Sequence, residues 1–296
     1  MELESYFNGL LQNIEPSPTA VECAQNAHKK LRTILENDED IAEANPDTFL
    51  TGSYARHTAI NDIKDVDIIL LIEIDKDIDG STPSNVIGWI HQILQKYYKH
   101  TREQGRSVKV TTDSGFDLDI VSATLVSLSD GPVWIPDREA QEWVKTHPKG
   151  QIAFGIAKNK ATNGYYKKLV KIMKHWKDRI SNKIARPNSY IIETLVAESL
   201  ISIPQSYGQG VVDILESIYT KYSPNLITGK VPVISDPGYP SVNVAKRWEF
   251  GEFSAFMQEA KSAWSTASAA LNEPDINKSV KLWKVLFGEK FERINL

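Results

Sequence analysis

This chain is short of cysteine, of long apolar runs and of excess positive charge, and each shortage removes a class of function. The single Cys23 excludes an intrachain disulfide framework and any zinc module built from cysteines. By itself it reads as a small apolar residue on an N-terminal helix. No stretch is apolar for long enough to cross a bilayer, and Met1-Glu2-Leu3-Glu4 is acidic where a secretory leader would be basic. The expectation is a cytoplasmic protein with no membrane partner. Lysine and arginine number 34 against 38 aspartates and glutamates, a formal net charge of −4. That balance argues against a broad phosphate-binding surface, so no long nucleic acid is expected as a partner. A small nucleotide needs only a local cluster of cations and stays open. Internal repeats and low-complexity tracts are also missing. What remains is an ordinary globular composition, 24% charged and 41% hydrophobic over 296 residues, enough for one large or two modest domains.

The informative stretch runs from Thr51 to Ile72, TGSYARHTAINDIKDVDIILLI. Asp65-Val66-Asp67 leads directly into the apolar run Ile68 to Ile72. In an extended strand side chains alternate between faces, so Asp65 and Asp67 project from the same side. Two carboxylates on one face repel unless a cation sits between them. A pair of magnesium ions carrying a nucleoside triphosphate supplies that charge, and manganese can stand in for magnesium. A two-metal site wants a third carboxylate from a neighbouring strand, and Phe116-Asp117-Leu118-Asp119-Ile120-Val121 offers one. Asp119, next to the attacking hydroxyl, completes the set of candidate metal ligands and catalytic residues, Asp65, Asp67 and Asp119. Gly52 lets the backbone approach phosphates, and Ser53 brings a hydroxyl and an amide donor. Taken singly, an Asp-x-Asp or a Gly-Ser marks a strand edge or a turn. The joint order is far more specific.

Along the chain, Leu3 to Leu35 has helical periodicity broken by Pro16 and Pro18. Thr48 to Leu50 reads as a short strand ending at Gly52, and Asp75 to Ser81 as a polar loop. Ser84 is placed to cap a helix from Asn85 to about Tyr98, and Ser107 to Thr112 and Phe116 to Ala123 read as strands. The second half is mostly helical, with helices expected over Tyr165–Ile180, Ser189–Leu200, Gly210–Tyr222, Phe250–Ala270 and Ser279–Phe287. The expected boundary lies near residue 140, giving domains of 1–140 and 141–296. The fold class is α+β, a mixed sheet with flanking helices followed by a mostly helical C-terminal lobe, with a cleft between the two.

These motifs resemble a known family. Gly52-Ser53-Tyr54-Ala55-Arg56-His57-Thr58-Ala59-Ile60 followed by Asp65-Val66-Asp67 is similar to the signature of the polymerase-beta-like nucleotidyltransferases. More narrowly, it resembles the bacterial relatives of cyclic GMP–AMP synthase and oligoadenylate synthase, the CD-NTases. Asp119-Ile120-Val121-Ser122-Ala123 looks like the strand carrying that family's third metal ligand, with Ser122 in place of the usual proline. Lys174-His175-Trp176 resembles its triphosphate-contacting helix, and Ser189-Tyr190 the pair that meets phosphate and stacks on a base. Asp236-Pro237, Asn243-Val244-Ala245, Trp283 and Phe287-Gly288 follow the same pattern, so the likeness spans nearly the whole chain. Asn163 sits where the family's base-reading residues sit, and its amide both donates and accepts; an N-cap role is the alternative. Arg56 is read as structural, pairing with an acid such as Asp62 or Asp65. His57 is read as an exposed loop residue.

The resemblance implies an enzyme that joins nucleoside triphosphates into a short, cyclic oligonucleotide messenger and releases pyrophosphate. It also implies a setting in bacterial antiphage defence, with partner proteins from the same operon. Gly52, Ser53, Lys174 and Ser189 would hold the donor triphosphate and Tyr190 would stack on a base. A template-independent tRNA or poly(A) nucleotidyltransferase shares the core but must hold a long polyanion, which the acidic balance disfavours. A protein-modifying nucleotidyltransferase and a catalytically dead nucleotide sensor are the other rivals. The former is often much smaller, and the intact acidic triad argues against the latter. Base preference, ring size, linkage, activation and oligomeric state are not written in these motifs.

Overall fold

The computed structural model describes residues 2–61, 63, 65–74, 81–126, 131–184 and 186–294. The polar loop expected over Asp75 to Ser81 therefore falls, but for Ser81, outside the described residues, as does Asp62. The chain divides into two compact units, one of residues 16–153 and one of residues 1–15 with 154–296. The first helix, α1 (Glu2–Ile14), thus belongs with the C-terminal residues rather than with the sheet that follows it.

In the unit of residues 16–153, α2 (Pro18–Asn37) starts where Ser17 accepts a hydrogen bond from the Ala20 amide and Pro18 fills the first turn. Its buried residues Ala24, His28, Leu31 and Leu35 recur at helical spacing on one face. The short α3 (Glu39–Ala42) follows, then strand β1 (Asp47–Thr51), the single turn α4 (Gly52–Ala55) and strand β2 (Asp65–Leu71). Helix α5 (Pro83–Gln95) is capped by Thr82, two residues ahead of the expected Ser84, because Pro83 fits the first helical position. Strands β3 (His100–Glu103), β4 (Val108–Thr111), β5 (Asp117–Leu125), β6 (Val133–Asp137) and β7 (Glu142–Thr146) complete a seven-stranded sheet.

The strand order is β1-β2-β5-β4-β3, with β5 pairing beyond Ala123 to β6 and β6 to β7. Among the described residues only β2 and β5 run parallel; their register sets Asp65 opposite Asp117 and Asp67 opposite Asp119. One face of the sheet carries Val66, Ile68, Leu70, Val108, Val110, Leu118 and Ile120 and is covered by α2 and α5. Residues one step away in the strands point to the other face. Burial of the first set therefore fixes the aspartates on the second face, since a one-residue slip would place a carboxylate in the core.

The other unit is helical. It holds α1, the end of α6 (Pro148–Ala161), α7 (Tyr165–Arg179), α8 (Ser189–Ser199) and α9 (Tyr207–Thr228), then the short strands β8 (Ser235–Asp236) and β9 (Tyr239–Asn243), then α10 (Phe250–Asn272) and α11 (Ile276–Phe287). The helix over Gly210–Tyr222 begins earlier than expected, at Tyr207, because Ser206 accepts from the Gln209 amide. Helix α6 and strands β3, β6 and β7 carry no expectation from the sequence. The apolar residues of α6 do not gather on one face, and β3 spans only four residues.

The anchor of this unit is Phe7, fully buried. Its ring lies 5.1 Å from Trp283, 5.0 Å from Phe291, 5.9 Å from Phe287 and 6.1 Å from Tyr207. Beside it, Arg179 Nε donates to the Leu286 carbonyl at 3.0 Å, and His175 Nε2 donates to the Phe287 carbonyl at 2.9 Å. Both side chains thereby satisfy carbonyls at the end of α11. Phe7→Ala empties the centre of this cluster and is expected to cost about 3–5 kcal/mol, read as a lowered urea midpoint.

Candidate active site

The loop Gly52–Thr58 is built to bring backbone against a carboxylate. Gly52 has φ +70°, and a Cβ there would overlap the Asp67 carboxylate, so only glycine fits both the conformation and the space. Tyr54 turns back into the core under α2, its ring 5.8 Å from that of His28, and bonds Gln25. The Thr58 amide donates to the Ser53 carbonyl at 2.9 Å, and Thr58 itself is buried. Tyr54 and Thr58 thus brace the turn, and Gly52 makes room for Asp67. His57 is exposed, as expected. The charge of Arg56 acts on Asp67, and Asp62, one of the acids expected to pair with it, lies outside the described residues.

Asp65, Asp67, Asp117 and Asp119 lie on one face at adjacent register positions of β2 and β5. Burial pushes the Asp67 carboxyl up to about 6; the charges of Asp65 and Asp119 add to the shift, while Arg56 and Lys109 oppose it. Asp119 is also pushed up to about 6, chiefly by burial, with Lys109 opposing and Asp65 and Asp117 adding. Its Oδ1 is buried without a hydrogen-bond partner. Asp117 is different. Burial works against its charge, but hydrogen bonds from Lys109 Nζ at 2.8 Å and Thr111 Oγ1 at 2.6 Å outweigh that and hold its carboxyl below the usual range.

The split decides which carboxylates are available. Asp117 is already satisfied by its neighbours; Asp67 and Asp119 are crowded, desolvated and short of positive charge. An all-oxygen set of this kind suits a hard divalent cation, and the orphaned Oδ1 of Asp119 is what such an ion would satisfy. As placed, no three His, Cys, Asp or Glu side chains among the described residues converge tightly enough to hold an ion. Ligation would therefore need the carboxylates to turn, which the broad terminal torsion of aspartate permits.

The remaining candidates lie in the helical unit. Lys174 is not on a solvated face: it is 3% exposed, and its Nζ donates to Glu193 Oε1 at 2.9 Å on α8. Ser189 is the first residue of α8, but the cap is Asn188, whose side chain accepts from the Ile191 amide at 3.0 Å. Tyr190 Oη donates to Asp236 Oδ1 at 2.7 Å, and the Gly238 amide bonds the same oxygen at 2.8 Å. Asn163 sits at φ +50° in the turn between α6 and α7 and does not cap α7; Gly164 takes that position. Lys109, Glu193 and Asp236, which bond to or act on these candidates, were given no role by the motifs. The alternation Val108-Lys109-Val110-Thr111 held the signal for the first, since it sets Lys109 and Thr111 on the polar face of a strand.

Comparison with known proteins follows the same division. Residues 1–159 match the Second Messenger Oligonucleotide or Dinucleotide Synthetase domain, and residues 153–265 match the cGAS/DncV-like nucleotidyltransferase C-terminal helical domain. The chain is 32% identical to a cyclic AMP-AMP-AMP synthase from an Acinetobacter species, over 99% of this chain and 86% of that protein. It is 28% identical to a cyclic AMP-AMP-GMP synthase from Enterobacter hormaechei, over 98% and 92%. In fold it is similar to E. coli CdnC, solved in complex with HORMA-deltaN, with TM-score 0.79, 19% identity and coverage of 99% and 98%. It is likewise similar to Bradyrhizobium diazoefficiens CdnG, solved with GTP, with TM-score 0.81, 13% identity and coverage of 98% and 97%. The chain belongs to the family of second-messenger oligonucleotide or dinucleotide synthetases, and the polymerase-beta-like fold expected for it is the fold it has.

The raised carboxyls of Asp67 and Asp119 carry a sign for stability. Between the ordinary carboxylate range and about pH 6 the folded state binds more protons than the unfolded chain, so stability falls as pH rises through that window and stays lower above it. Asp67→Asn removes one of these charges. In a chelator-containing buffer at pH 7.5 it is expected to raise the unfolding free energy by about 2 kcal/mol, with the advantage fading towards pH 4. Denaturant titration at the two pH values reads this directly.

Proposed function

We propose that this family member condenses nucleoside triphosphates into a cyclic trinucleotide containing at least two adenosines, with release of pyrophosphate. Support for the reaction comes from the family and from the oxygen-only, desolvated carboxylate set on β2 and β5. Support for the ring size and base comes from the two curated relatives, whose products share an AMP-AMP step and a third nucleotide. Asp65, Asp67 and Asp119 would hold two divalent cations, Mg²⁺ with Mn²⁺ as a substitute. Such ions supply Lewis-acid activation of a hydroxyl and neutralise phosphate charge.

The protein's own part is positional. Asp119 would lie beside the acceptor hydroxyl and give its proton an acceptor close by. Gly52 leaves room for the Asp67 carboxylate and, with Ser53, would offer backbone to the donor phosphates. Lys174, paired with Glu193, and Ser189 are proposed for the donor triphosphate, Tyr190 for stacking and Asn163 for a base edge. The bond between Tyr190 and Asp236 would set the ring's plane before any base arrives, so ordering it adds little cost on binding. Catalysis on this account is in-line displacement at the α-phosphate, carried by alignment and charge neutralisation. A cellular role in antiphage signalling, in the cytoplasm and beside an operon-encoded partner, completes the proposal. The HORMA complex of the E. coli structural relative supports the partner.

The double variant Asp65→Asn, Asp67→Asn is expected to abolish pyrophosphate release from mixed NTPs with Mg²⁺, while circular dichroism stays native. Gly52→Ala, which displaces Asp67, should lower turnover about 100-fold, the scale of a misplaced reacting group. Mass spectrometry of the products from all four NTPs identifies the ring. Retained turnover in the double variant would refute the site, and a linear or primer-dependent product would refute the ring.

A further inference from the structure

Beside the aspartates the sheet carries a second, oppositely charged half that the reading above does not use. Thr51, Asp67, Asp119, Lys109 and Arg102 stand opposite one another across β1, β2, β5, β4 and β3. Directly paired residues share a face, so this is one unbroken row running from carboxylates to cations. The neighbouring row on that face is Asp65, Asp117, Thr111 and His100. Lys109 is 20% exposed and fixed at 2.8 Å from Asp117. Arg102, one strand further out, is exposed, and its charge acts on both Asp117 and Asp119.

An acceptor nucleotide has to bring its hydroxyl to Asp119 while carrying a 5′-triphosphate of its own. The donor's phosphates are neutralised by the cations it shares with the aspartates; the acceptor's are not. Several negative charges must then settle within a few ångströms of a carboxylate-rich face, which is unfavourable at any protein dielectric. The row places compensating charge next to Asp119, on the side away from Asp67. From this juxtaposition we propose that Arg102 and Lys109 form a subsite for the 5′-triphosphate of the acceptor nucleotide, and of the linear intermediate once a first bond is made. The proposal rests on the nucleotide-condensing reading above. The two cations divide the work. Lys109, tied to Asp117, contributes a fixed charge; Arg102, free to swing on an exposed strand, makes the forked contact that a planar guanidinium makes with phosphate oxygens.

The test uses acceptors that cannot themselves donate. Full-length protein with Mg²⁺ and limiting ATP as donor is offered either α,β-methylene ATP, which keeps the polyphosphate but cannot lose pyrophosphate, or AMP, which has none to lose. Linear products are quantified by mass spectrometry. Wild-type protein should prefer the methylene analogue, and Arg102→Gln and Lys109→Gln should each lower the ratio of kcat/KM for the two acceptors about tenfold. Lys109→Arg should keep most of the preference. If Lys109→Gln fails to fold, Arg102→Gln decides alone, since Arg102 is exposed. An unchanged ratio in Arg102→Gln, or equal use of both acceptors by wild type, overturns the subsite and leaves the nucleotide-condensing reading standing. Absence of any product from wild-type protein with all four NTPs overturns that reading and the subsite with it.

Discussion

Repulsion among carboxylates that the sheet register forces together is the constraint around which the first unit is arranged. Parallel pairing of β2 with β5 sets Asp67 beside Asp119 and Asp65 beside Asp117. Buried apolar residues on the opposite face prevent the strands from slipping to relieve the strain. The surroundings then treat the four acids unequally. Asp117 is quenched by Lys109 and Thr111, whereas Asp67 and Asp119 stay crowded enough for burial to lift both carboxyls to about 6. A folded chain that keeps such an arrangement gives up stability at neutral pH, and a site that binds cations recovers it. On the proposed function, stability and activity would pull in opposite directions at these residues, as is common where a site is pre-organised for charge.

The turn that precedes β2 serves the same constraint. Gly52 lies so close to Asp67 that no side chain can stand there, and Tyr54 and Thr58 secure the turn from below. A pattern that reads as a phosphate-approach loop is therefore also a clamp on a carboxylate. The two roles coincide because a backbone without a Cβ can approach both an acid and a ligand.

The aspartates and the glycine were legible in the sequence because their geometry is local. Strand alternation and the φ preference of glycine need no knowledge of the rest of the fold. The main helices of the second half were legible for the same reason, through their apolar spacing. Helix α6 was not, having no single apolar face, and neither were β3 and the β6–β7 hairpin, whose pairing is decided by β4 and β5. Capping was legible only to within two residues: Thr82 and Asn188 do the work that Ser84 and Ser189 were placed to do. Lys174 shows the limit most clearly. A lysine in a lysine-rich helix reads as a solvated charge or a ligand contact, and its burial against Glu193 is a tertiary fact that helix spacing does not contain. The same holds for Lys109 and Arg102, ordinary strand cations until the register aligns them with Asp119.

The grouping of α1 with the C-terminal helices has a consequence for the order in which the molecule is made. Asn13 donates to the carbonyl of Lys290, 277 positions later, and Phe7 nests among Trp283, Phe287 and Phe291. During synthesis the sheet unit of residues 16–153 can close on its own contacts as soon as it leaves the ribosome. Helix α1 cannot: the aromatic residues of α11 that surround Phe7 lie beyond the whole of that unit in the chain, as do the residues of α7 and α9 that it also meets. Its apolar face is therefore uncovered until that unit has been made, and is then covered in steps as α7, α9 and α11 follow. The helical unit thus closes by joining segments that lie on either side of the sheet unit in the chain.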